Sequence, residues 1–207
     1  MANFTAMLTT RFGLGYLLHK FTAKNRHGLH SPFVYRLVDK VIYDFSDKKE
    51  YRQIEEARKR LLGDQAPAGL SIITQLKLVK LIYRLIADHQ PNTIIEIGEG
   101  REISELYSTV LSADTGFYMP GDYPSDTPPD LIWISDRDIL AHFEWSLPQV
   151  GNGTMMMITD IHRNAKRKEA WASIKANQQV TVTVDLFWIG LVYFRKGQVK
   201  EDFKIRF

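Results

Sequence analysis

The feature that most constrains this chain is its last pair of apolar runs, Val180–Phe187 and Leu191–Arg195, with only Trp188–Gly190 between them. So short a connection cannot hold a crossover, and the two runs must pair antiparallel as a hairpin. The earlier runs behave differently. Thr93-Ile94-Ile95-Glu96-Ile97-Gly98 is a short β-branched stretch that closes on an acidic residue and a glycine, and similar runs lie at Gly116–Met119, Asp130–Ile134 and Thr154–Ile158. Helix-like segments at Glu102–Leu111 and Ala165–Ala176 stand between several of them. The pattern predicts an α/β fold whose sheet is mostly parallel and finishes in a C-terminal antiparallel hairpin.

Before Pro91 the periodicity is helical. Ser31 followed by Pro32 reads as an N-cap with proline at the first helical position, and Val34, Leu37, Val38, Val41 and Ile42 recur at helical spacing within Arg26–Asp44. Lys48–Arg60 reads as a solvated helix that stops near Gly63, Asp64–Gly69 as a loop, and Ser71–His89 as an apolar helix suited to covering a sheet. At the N-terminus, Phe4, Met7, Leu8, Phe12 and Leu18 suit one helix face, which Gly13 and Gly15 weaken by about 1 kcal/mol each. Arg11, His19 and Lys20 interrupt that segment, so it is expected to dock on the domain and not to act as a signal peptide or membrane span. A length of 207 residues suits one domain, with N-terminal helices over 1–90 packed on an α/β core over 91–207.

Charge enters where partners are considered. The formal net charge is only +3 and the basic residues are interleaved with acidic ones, so no nucleic-acid partner is expected. The absence of cysteine excludes disulfides, thiolate metal sites and cysteine nucleophiles, and it agrees with a cytoplasmic protein. Lys166, Arg167 and Lys168 read as a solvated helix face, Trp171 and Met155–Met157 as core, and Asp185 as a strand carboxylate that must be paired or face a polar cleft.

Chemistry concentrates at Glu96-Ile97-Gly98-Glu99-Gly100, where a glycine turn after a strand lets backbone approach a ligand and the next helix offers amides. A full dinucleotide fingerprint would need a third glycine, and position 103 is Ile103. The motif therefore reads equally as a ligand turn or a plain strand-to-helix turn. Asp160 closes a strand on the side where open α/β sheets bind ligands. His30, His162 and Asp160 are the catalytic candidates, as general bases, with His30 also suited to pinning the loop before its helix.

Together with Ile94–Ser104, the segments His27–Tyr35, Ile158–His162, Trp171 and Asp185–Phe207 resemble a group of class I S-adenosylmethionine-dependent methyltransferase-like proteins. That group is frequent in Bacteroidetes and related to the small-molecule O-methyltransferases. The resemblance implies a Rossmann-like sheet and S-adenosylmethionine as cofactor, with Glu96, Gly98 and Gly100 at its methionine end and His27, His30 and Ser31 near the active-site mouth. The chain also departs from the group. A sizeable portion between the group's second and fourth strands is missing, leaving only Ala113–Pro129 to connect them. Asp122 is then the substitute for the ribose ligand, and Ser135 replaces an acidic residue beside Asp136, both assigned to the cofactor site. A paired aspartate motif is reduced to Asp160, so no metal is expected. The sheet edge left by the missing portion points to a homodimer. Two functions stay open: a methyltransferase acting on a small molecule with eroded cofactor and metal motifs, or a catalytically inactive relative with a binding or interaction role.

Overall fold

The computed structural model describes residues 11–25, 29–63, 74–98, 100–124 and 126–207. Helices come first: α1 (Arg11–Thr22), α2 (Pro32–Leu37, continued by a π turn over Val38–Ile42), α3 (Tyr51–Leu62) and α4 (Leu76–His89). Ser31 caps α2 by accepting from the Val34 amide, and Pro32 opens the helix as its fixed φ favours. Gly63 ends α3 at φ 54, a left-handed conformation that glycine takes without strain.

The sheet strands are β1 (Thr93–Ile97), β2 (Gly116–Tyr118), β3 (Leu131–Ile134), β4 (Met155–Thr159), β5 (Val182–Asp185), β6 (Ile189–Tyr193) and β7 (Glu201–Lys204), with α5 (Glu102–Tyr107), α6 (Ile139–Ser146) and α7 (Ala165–Ala176) between them. They form one seven-stranded sheet in the order β2-β1-β3-β4-β6-β5-β7. The pairs β2–β1, β1–β3 and β3–β4 are parallel, while β6 runs antiparallel to both β4 and β5. This is the mostly parallel α/β sheet with a reversed C-terminal hairpin that the spacing predicts. The hairpin turn is tighter than expected: β6 already begins at Ile189, and Phe187 absorbs the reversal at φ 72.

Alternation along the central strands divides the core. Ile94, Leu131, Trp133, Met155 and Met157 face a cluster that includes α2, α3 and α4, whereas Ile95, Ile97, Ile132, Ile134, Met156 and Ile158 face α6 and α7. Burial on both faces is what allows near-continuous apolar strands. Trp171 is core, as read from the sequence, and it packs so closely on β6 that a Cβ at Gly190 would lie 2.6 Å from its ring.

Four features differ from the sequence reading. Leu18 is exposed, and α1 turns Tyr16 and His19 inward beside the expected Phe12, because those aromatic rings meet Phe187. Phe4, Met7 and Leu8 lie outside the described residues, as do Arg26–Gly28, 64–70 and 71–73. Helix α6, started by an Asp138 cap on the Ala141 amide, follows β3 where no helix was read. A last strand, β7, lies parallel to β5, and Lys24 bridges Ile205 beyond it. Arg167 is buried and not part of a solvated face. Among the described residues, no helix is long and apolar enough to cross a membrane.

Candidate functional site

β1 leads through α5 to β2 on one side, and the chain then returns to β3 on the other side of β1. That reversal opens a crevice at the C-terminal ends of the strands, the place where open α/β sheets bind ligands. A cavity of about 540 Å³ lies there, lined by Gly100 and Glu102 after β1, Ser135 to Arg137 after β3, and Thr159, Asp160, Arg163, Asn164, Lys166 and Arg167 around the end of β4. Its volume falls in the range of small-molecule pockets. Its walls are ionic: Glu102, Asp136 and Asp160 face Arg137, Arg163, Lys166 and Arg167.

Each wall has a local cause. Glu96 does not reach the cavity. Its carboxylate accepts from the Ile103 amide at 2.7 Å and the Ser104 amide at 3.2 Å, satisfying the orphan donors at the start of α5. Burial raises the Glu96 pKa, and those amides oppose the rise. Gly98 has a packing reason to be glycine, since an added Cβ would collide with Ser135 Oγ and stand 3.4 Å from Ser135 Cβ. Gly100 is exposed on the cavity lip, where a Cβ would meet only the Glu102 side chain, at 3.7 Å.

Arg167 joins two strand ends. Its guanidinium donates to the Thr159 carbonyl at 2.7 Å and to the Asp136 carbonyl, so β3 and β4 are clasped from the helix that covers them. Burial pushes its pKa down, against the pull of Asp160. Asp160 sits at φ 55, its amide bonded to the Trp188 carbonyl at 2.6 Å and its carboxylate to Arg163 at 2.9 Å. Burial raises the Asp160 pKa despite Arg163, and burial likewise raises that of Glu102, with Glu96 and Asp160 adding to it. Asp136 is held below the usual carboxylate range, first by the Asp138 amide and then by His142.

The residues read from the sequence therefore divide. Gly100, Ser135, Asp136 and Asp160 line one cavity. Glu96 and Asp122 meet in a separate recess of about 50 Å³ between the ends of β1 and β2, with Arg101, Ser104 and Tyr118. His30 is exposed before α2 and does not line the cavity. His162 turns away from Asp160 to bond Asp185 at 2.7 Å. Glu102 and the buried Arg167 escaped the sequence reading. The only signal for Arg167 was its phase on α7, which it shares with the buried Ala170, Trp171 and Ile174.

The fold is that of an open Rossmann-like α/β protein, with a cavity at its switch point. No family model matches the chain, and no curated protein matches it. Solved structures similar to it include the O-methyltransferase TomG from Streptomyces achromogenes, in complex with SAM, at 15% identity and TM-score 0.44, covering 75% of this chain and 94% of that one. An O-methyltransferase from Bacillus cereus in complex with SAH overlaps at 14% identity and TM-score 0.44, covering 77% of this chain and 96% of that one. Likeness at this level assigns a role to no residue.

Proposed function

We propose that the protein is an S-adenosylmethionine-dependent methyltransferase acting on a small molecule, with the crevice beyond β1, β3 and β4 as its site. The observation that carries this reading is the 540 Å³ cavity at the switch point, in which carboxylates and cations face each other. Such walls suit the cofactor's amino-acid end, where an ammonium meets Asp136 or Glu102 and a carboxylate meets Arg137 or Lys166. The motif resemblance along the chain supports the same assignment. When bound, the cofactor supplies an electrophilic methyl group. The chain's own part is to orient the acceptor through the Arg163–Lys166 wall and to take its proton at Asp160, whose raised pKa makes it a better base than an ordinary carboxylate.

The nucleoside end fits less well. The recess holding Asp122 is about 50 Å³, room for one or two waters, and Tyr118 and Tyr123 pack edge-on beside it with ring centroids 5.2 Å apart. A nucleoside needs that turn to move outward. This favours a second reading, in which the crevice binds a small zwitterion or anion without catalysis.

Calorimetric titration of the full chain with S-adenosylmethionine and S-adenosylhomocysteine separates the two. Micromolar binding of both, about −8 kcal/mol, lost in Asp136→Ala, supports the methyltransferase reading. Absence of heat and of thermal stabilisation with either ligand refutes it.

A further inference from the structure

We propose that His19, His162 and Asp185 form a binding site for a divalent cation of the zinc type, separate from the crevice, which ties α1 to the end of β5. The inference does not rest on the methyltransferase reading. The three come from α1, from the loop after β4 and from the last residue of β5, and one ligand atom from each lies within 4.8 Å of the others.

The hydrogen bonding around His19 carries the argument. Its Nε2 lies 3.1 Å from the Ile205 carbonyl oxygen, which can only accept, so Nε2 holds the proton. In the neutral ring Nδ1 is then a bare lone pair, and it makes no hydrogen bond. It faces Asp185 Oδ1, a second acceptor, at 3.5 Å, and the residue is only 3% exposed. Two lone pairs opposed in a buried pocket repel unless a positive charge stands between them.

The surroundings suit a metal. Tetrahedral zinc, with bonds near 2.0–2.1 Å, sets its ligand atoms about 3.4 Å apart, close to the His19–Asp185 separation. His162 Nε2 lies 2.7 Å from the other carboxylate oxygen, Oδ2, and the three ligand atoms have to draw in from their present spread of up to 4.8 Å. Asp185 Oδ1 is oriented by the Phe187 amide at 2.9 Å, and the Phe187 ring stacks on His162 and stands edge-on to His19. Two imidazoles and one carboxylate match zinc and its neighbours, not magnesium, and partly exposed His162 leaves a side open for water. Nearby, Lys204 Nζ donates to Thr22 Oγ1 at 2.6 Å.

The test uses the untagged full chain, stripped with EDTA and titrated with ZnCl2 by calorimetry and with CoCl2 by visible absorption. One zinc per chain, a rise in Tm of several degrees, a tetrahedral cobalt spectrum and no response to MgCl2 are expected. Affinity should fall at least tenfold in His162→Ala and in Asp185→Asn and stay unchanged in Asp160→Asn. His162 lies at the partly exposed edge, so its variant keeps the test readable if Asp185→Asn does not fold. Zinc without effect on wild type, binding indifferent to His162→Ala, or binding lost in Asp160→Asn each overturns the proposal.

Discussion

Gly98→Ala distinguishes a glycine kept for packing from one kept for a ligand. Among the described glycines with positive φ, Gly98 does not appear, so alanine can adopt its backbone, and the stiffer unfolded chain would by itself add about 0.4–1 kcal/mol of stability. The new methyl instead collides with Ser135 Oγ and sits 3.4 Å from Ser135 Cβ. Ser135 also anchors the end of β3 to β1, its amide donating to the Ile97 carbonyl at 2.8 Å. The hydroxyl must swing away and give up its 3.4 Å contact with the Ile97 carbonyl, and crowding of this kind costs about 1–3 kcal/mol. The expected net loss is about 1–2 kcal/mol. Removing the hydroxyl with Ser135→Ala should recover about 1 kcal/mol of it, so urea unfolding of wild type, both single variants and the double variant yields a favourable coupling near that size. A neutral Gly98→Ala, or a coupling within about 0.3 kcal/mol of zero, refutes the packing explanation and returns the glycine to a ligand role.

Asp160→Asn should stabilise the protein at pH 7 by something on the order of 1 kcal/mol, since asparagine tolerates φ 55 and carries no buried charge. The folded pKa of Asp160 lies above the unfolded one, so its penalty is present at neutral pH and vanishes as pH falls below about 4, where both states are protonated. Thermal melts at pH 7 and pH 3.5 check this, and an equal gain at both pH values would contradict it. Arg167→Met should cost about 3 kcal/mol in urea unfolding, because the Thr159 and Asp136 carbonyls lose their charged donor, with part of the loss offset by water entering from the cavity. A loss under about 1 kcal/mol would mean that the clasp between β3 and β4 is not a structural element.

The parallel strands were legible because burial on both faces demands near-continuous apolar runs, as Ile94–Ile97 and Met155–Ile158 show. β7 was not, since Glu201-Asp202-Phe203-Lys204 is an edge strand with only Phe203 buried and carries little periodic signal. Arg167 hid in a basic cluster whose composition says surface, while its helical phase says core. Asp185 could be read as needing a partner, but not which one. His19 reaches it from α1 and bonds Ile205 across 186 positions of sequence, a contact that only tertiary packing creates. The crevice was half legible for the same reason: strand-end residues such as Asp160 announce themselves, whereas the chain could not reveal that Glu96 would be consumed by α5.

The most direct test of the crevice as a cofactor site is hydrogen–deuterium exchange of the full chain with and without saturating S-adenosylhomocysteine. A cofactor in the crevice slows exchange in the turn from Gly98 into α5 and in the Ser135–Asp138 segment, with no change along α1 and β5. Unchanged exchange at both crevice segments, or protection confined to the α1–β5 face, would contradict it.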